Sequence, residues 1–210
     1  MAVLLTESYL PGVLAMNEER TGVIATRRDF LLRAGATSLS AGAIALLAGI
    51  PAIGFAANEA GDVSILNVAL GLEYEGIAAY QIGAESGLLK KPLLDVAVLF
   101  QSHHKQHAEA LMGAIKKLGG KPIADKSMDE YKKSPKLDIA SIKTDTDVLK
   151  LAQRLELGAT NAYLGVIPSF RSKDLAKVSG RLAADEVMHY TALTQALGQA
   201  LPTPGMSFGA

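Results

Sequence analysis

Apolar residues recur at alternating three- and four-residue steps along four stretches of the chain, the spacing of helices that each bury one stripe. The first stretch runs to about 86 from Asp62 or Ser64, either of which can cap it, and Gly87 offers a left-handed stop. Its stripe reads Leu66, Leu70, Glu73, Ile77 and Tyr80. The second starts at Pro92, suited to a first helical turn, and continues to 118 before Gly119-Gly120, with the stripe Leu93, Val96, Phe100, His104, His107, Leu111 and Ala114. The third covers 147–167, is stopped by Pro168, and carries Leu149, Ala152, Glu156, Ala159 and Tyr163. The fourth covers 172–198 with Leu175, Val178, Leu182, Glu186, His189, Leu193 and Ala196. Short links within each pair dictate two antiparallel hairpins. Residues 119–146, with Pro122, Pro135 and clustered Lys, Asp and Ser, predict a crossover holding at most one helical turn, after Ser127. Extended, it reaches about 90 Å, against about 40 Å for a 27-residue helix, so it can return along the bundle. The expected fold is all-α: a four-helix bundle of two hairpins.

The hairpins repeat each other. Leu72-Glu73 with Ala79-Tyr80 recurs 83 positions later as Leu155-Glu156 with Ala162-Tyr163. His107, Ala110, Leu111 and Ala114 recur 82 positions later as His189, Ala192, Leu193 and Ala196, and Pro122 maps onto Pro204. A nearly constant offset over four helices indicates an internal duplication with a pseudo-twofold axis.

Every stripe is interrupted by ionisable residues. A lone carboxylate in apolar surroundings costs several kcal/mol or protonates, so these groups need each other or a cation. Their heights agree: at 1.5 Å per residue Glu73 and His104 lie about 20 and 18 Å from the shared end of their hairpin, and Glu156 and Glu186 about 17 and 21 Å from theirs. Six side chains should therefore converge at mid-height: Glu73, His104, His107, Glu156, Glu186 and His189. His103 and Glu75 fall just off the stripes, as supporting or surface residues. Asp185 and Glu109 read as solvated charge, Tyr74 and Tyr190 as interface packing, and Tyr80 and Tyr163 as core. A metal-free hydrogen-bond network is the competing reading of the six.

Composition narrows the chemistry. The 210 residues contain no cysteine, which removes disulfides, thiolate nucleophiles, iron-sulfur clusters and Cys-bound zinc, so a metal would sit on histidine and carboxylate. That donor set suits iron or manganese, with zinc also admissible. Lys+Arg and Asp+Glu tie at 21 each, which argues against nucleic acid as a partner. Hydrophobic residues reach 49%, and alanine-rich helix faces permit a homodimer.

Residues 1–57 differ from the bundle expected over 58–210. The run Thr26-Arg27-Arg28-Asp29-Phe30-Leu31, followed by uncharged residues from Ala34 to Ala57, resembles a twin-arginine export signal, with a cleavage position near Ala57 or Asn58. As a helix the uncharged run would be about 36 Å long, also enough for a membrane anchor if it is not cleaved. Both readings place the bundle beyond the cytoplasmic membrane, in the periplasm or outside the cell.

One Glu from each of two helices, with Glu-x-x-His from the others, is the ligand pattern of ferritin-like di-iron carboxylate bundles. Residues 62–200 resemble that superfamily, and specifically its twin-arginine-exported members. By resemblance, Glu73 and Glu156 are the single glutamates and Glu186 with His189 an intact Glu-x-x-His. His104-x-x-His107 departs, placing histidine where a carboxylate, often a metal bridge, is usual. A single ion, an asymmetric pair and a pair with an exogenous bridge all remain open. The resemblance implies oxidative chemistry of iron, oxygen or peroxide at a dinuclear or mononuclear centre. The alternative is a non-catalytic stress-protection or accessory bundle with a structural metal or none.

Overall fold

The computed structural model describes residues 59–209, and the predicted export or anchor segment lies outside them. Helix α1 spans Glu59–Glu85, α2 Leu93–Lys117, α3 Met128–Lys132, α4 Asp145–Val166 and α5 Lys173–Ala196, with 3-10 turns at Ile139–Ser141 and Ile167–Ser169. None of the described helices is long and apolar enough to cross a membrane.

The helix ends follow local chemistry. Gly87 takes φ 72° after α1, a left-handed backbone conformation that residues with a side chain rarely adopt. Thr144 caps α4 two residues earlier than expected, because Asp147 is the third residue of a reciprocal capping box rather than the start of the helix. Ser172 caps α5, its hydroxyl accepting from the Leu175 N–H. The helical turn after Ser127 is α3, held by a capping box with Glu130.

Asp62 is not a cap. Helix α1 begins upstream of it, and its buried carboxylate accepts hydrogen bonds from the backbone N–H groups of Arg171 (3.0 Å) and Ser172 (3.2 Å), where the second hairpin turns. It thereby ties the hairpins together. Asp62→Ala strands those contacts and should cost about 2–3 kcal/mol, the worth of charge-assisted hydrogen bonds, read as a lower urea midpoint at unchanged slope.

Helices α1 with α2 and α4 with α5 form the two hairpins, and α1 also packs on α4. The crossover runs back over that contact: Tyr131 and Leu137 are buried against Ala78, Ala79, Ile82 and Leu151. Its start is pinned by Asn67, which donates to the Lys121 carbonyl (3.2 Å) and accepts from the Ile123 N–H (2.8 Å). One side of the bundle is thus covered.

The core has two apolar ends. One contains Leu66, Leu70, Leu111, Tyr163 and Leu182. The other contains Tyr80, Phe100, Leu149, Ala152 and Leu193. Each fully buried aliphatic side chain contributes about 1.5–3 kcal/mol, so the two ends hold the helices in register around whatever lies between them. Between them lie the polar stripe positions. Ile77 and Val178 are only half-buried and Ala196 is exposed, because a straight helix drifts off a seven-residue repeat.

Candidate metal centre

All six polar stripe residues are buried at this waist, with Glu186 and His189 at 0% exposure. They form two groups of four, Glu73/His104/His107/Glu186 and His104/Glu156/Glu186/His189, in each of which one ligand atom per residue lies within 4.8 Å of the others.

In the first group His104 Nδ1 lies 2.7 Å from Glu73 Oε2 and 3.8 Å from Glu186 Oε1, and His107 Nδ1 lies 3.5 and 3.2 Å from the same two oxygens. In the second, His104 Nε2 lies 3.2 Å from Glu156 Oε1, and His189 Nδ1 lies 3.4 Å from Glu156 Oε2 and 3.2 Å from Glu186 Oε2. Donors bound at about 2.0–2.1 Å to one small divalent ion sit about 3.0–3.4 Å apart in octahedral or tetrahedral arrangement. The spacings bracket that range.

The duplication is used crosswise. Tyr80 of the first hairpin donates to Glu156 of the second, and the repeat-related Tyr163 donates to Glu73. These tyrosines are core residues, as expected, but they also orient the two single glutamates. His107 Nε2 lies 3.2 Å from Asp185 Oδ2, and His189 Nε2 lies 2.9 Å from His103 Nδ1. His103 and Asp185 are themselves 82 positions apart and so repeat-related. Each outward Nε2 is engaged by the opposite hairpin, which turns the Nδ1 of His107 and His189 toward the centre; metal-binding histidines are held the same way. His103 is thus a supporting residue. Asp185 corrects the expectation of plain solvated charge: it is half-exposed yet engages a buried histidine.

Gly76 carried no signal in the sequence. A Cβ there would lie 3.2–3.4 Å from ring atoms of His104, so the ring packs directly on the α1 backbone.

The electrostatics are those of tightly paired acids and bases. Burial pushes the Glu73 and Glu156 carboxyls up, but the His104 imidazole, hydrogen-bonded to both, and the nearby His107 and His189 imidazoles outweigh it and hold both below their ordinary range. For Glu186 burial prevails and its pKa is raised. Burial works against charge on the three inner histidines, yet their carboxylate partners raise all three, His107 to about 10. Burial and the Glu156 and Glu73 charges push the Tyr80 and Tyr163 hydroxyls well up, so both remain donors.

Pairing is incomplete. Among the described residues, four buried side-chain atoms have no hydrogen-bond partner: His107 Nδ1, Glu156 Oε2, Glu186 Oε1 and Thr160 Oγ1. Three of them belong to the cluster. An unpaired buried polar atom costs about 1–3 kcal/mol, and cations bound one in each group would satisfy all three. The donor set and the orphaned atoms fit a metal.

Access lies opposite the crossover. An open cleft of about 540 Å³ between α2 and α5 is lined by His103, Gln106, His107, Arg181, Asp185 and Met188. A polar solute can reach the outer edge of His107 there.

A comparison with solved structures finds the crystal structure of a conserved hypothetical protein, rv2844, from Mycobacterium tuberculosis, with a TM-score of 0.57 and 18% identity, covering 71% of this chain and 99% of that one. It shares the fold. No curated protein matches. The family model of the ferritin-like domain matches residues 61–199, from the first turns of α1 past the end of α5. With the helical pairing, the crossover and the polar waist all inside that span, the chain belongs to the ferritin-like domain family.

Proposed function

We propose that the protein is an exported metal protein that holds a pair of divalent first-row ions, iron or manganese, on Glu73, His104, His107, Glu156, Glu186 and His189, and uses them in oxidative chemistry of iron, oxygen or peroxide. The observation that carries this is the set of orphaned Nδ1 and carboxylate atoms inside a buried cluster. Bound by these residues, reduced ions would supply the electrons for reducing oxygen or peroxide. The chain supplies the rest. Tyr80 and Tyr163 fix the outer carboxylates, Asp185 and His103 fix the imidazoles, and the α2–α5 cleft admits a small polar oxidant. The twin-arginine-like segment supports export, and zinc remains compatible with the donor set.

Elemental analysis of protein secreted by its native host tests occupancy. Mixing the reduced, loaded protein with oxygen or peroxide should then produce a spectral change that turns over with added reductant. One observation favours a second reading, a bundle with a structural metal or none: His104 already hydrogen-bonds carboxylates through both ring nitrogens. On that reading a chelator lowers the melting temperature, or leaves it unchanged, and no turnover is found.

The two half-sites differ in one support. His107 is backed by an anionic carboxylate and His189 by a second imidazole, whose pKa is lowered by burial and by the His189 charge. A carboxylate makes the imidazole a stronger donor, so the Glu73/His107 half should fill first. Asp185→Asn should weaken that step about 10–100-fold, the usual worth of such a partner, and leave the other step within about threefold, measured by competition with a chelating dye.

A further inference from the structure

His104 faces both halves of the cluster. Its Nδ1 lies with Glu73 and Glu186 Oε1, and its Nε2 lies with Glu156. Glu186 does the same through its two oxygens, 3.2 Å from His107 on one side and 3.2 Å from His189 on the other. The ring is held in this attitude by the Gly76 backbone and by Tyr80, whose ring centroid is 5.4 Å away.

Charge points the same way. Two divalent ions bring four positive charges, and Glu73, Glu156 and Glu186 bring three negative ones. A residual charge in a buried site costs several kcal/mol. The half-exposed Asp185 sits outside the donor groups and is screened by solvent. One further negative group is needed within the waist, and His104 is the residue placed to supply it.

We propose that His104 is a bridging ligand, bound as imidazolate through Nδ1 to the ion held by Glu73 and His107 and through Nε2 to the ion held by Glu156 and His189, with Glu186 shared between them. On loading, the N–H bonds of the ring break, the protons leave to solvent, and the nitrogen lone pairs form the two metal bonds. No electron transfer is involved. The bridge presupposes the metal centre proposed above. It differs from a carboxylate-bridged pair in spacing: two bonds of about 2.0–2.1 Å to opposite corners of one ring hold ions about 6 Å apart, against about 3.5–4 Å in ordinary two-metal sites.

The test is a Co(II) titration of the metal-free full-length protein and of His104→Gln, followed by d–d absorption, with X-ray absorption on the loaded wild type. Two ions should bind to the wild type, both steps should weaken by at least about tenfold in His104→Gln, as for loss of a ligand from each, and no metal–metal vector shorter than about 4 Å should appear. Weakening of one step alone, or of neither, overturns the bridge. So does a short metal–metal vector, which decides the matter without the variant if His104→Gln fails to fold. Failure of the wild type to bind cobalt at all is a different result, and removes the metal centre itself.

Discussion

Glu186→Ala is expected to abolish loading of both ions while leaving the helical content intact. Its two carboxylate oxygens lie in both ligand groups, each 3.2 Å from a different histidine, so one substitution takes a donor from each half. Removing a residue that merely supports a ligand costs about 10–100-fold in affinity, and a shared ligand should cost more than about 100-fold in each step. Helicity should persist because the apolar ends of the core, around Leu66, Leu70 and Leu111 and around Phe100, Leu149 and Leu193, do not depend on it. Equilibrium dialysis with metal analysis, beside far-ultraviolet circular dichroism, checks both halves of the expectation. Undiminished loading would remove Glu186, and with it the dinuclear centre.

The metal-free protein should be most stable between about pH 4.5 and 6.5, and should lose on the order of a few kcal/mol as the pH rises toward 10. Glu73 and Glu156 ionise in the fold below the ordinary value of 4.5, so their stabilisation is complete above that pH and is lost on acidification. His104, His107 and His189 ionise above the ordinary 6.5, so theirs is complete below 6.5 and is lost as the pH climbs, for His107 through about 10. Glu186 opposes Glu73 and Glu156: its raised pKa means that ionising it from 4.5 upward disfavours the fold. Metal reverses the trend. Histidine must lose a proton to bind an ion, so the gain in melting temperature on loading should grow with pH. Thermal melts of chelator-treated and loaded protein from pH 5 to 9.5 measure this. A flat metal-free profile would show that the six groups are not paired as the structure places them.

Much of this was legible in the residues. Helical periodicity, Gly87, Pro168 and Ser172 marked the long helices to within a few positions, because those signals act within one or two turns of chain. The convergence of the six polar residues followed from rise per residue and from the repeat. The misses share a cause. Asp62 looked like a cap because Asp favours that role locally, but its partners lie 109 and 110 positions away. Asp185 looked solvated because its own helix leaves it half-exposed, and its importance comes from His107 on another helix. Gly76 stood out in no pattern, since its role is the absence of a side chain beneath a ring 28 positions later.

By itself the sequence determined that four amphipathic helices form, that they pair as two related hairpins, and that acids and imidazoles interrupt every buried stripe, because periodicity and repetition are written in consecutive residues. Only the tertiary structure decided the crosswise support, with each hairpin's tyrosine and outer polar residue serving the other's ligands, and the sharing of His104 and Glu186 between two groups. It also decided which flank is covered by the crossover and which stays open at the α2–α5 cleft. Those outcomes depend on the rotation of each helix about its own axis, which is set by packing against neighbours distant in sequence and cannot be read from spacing along one strand of chain.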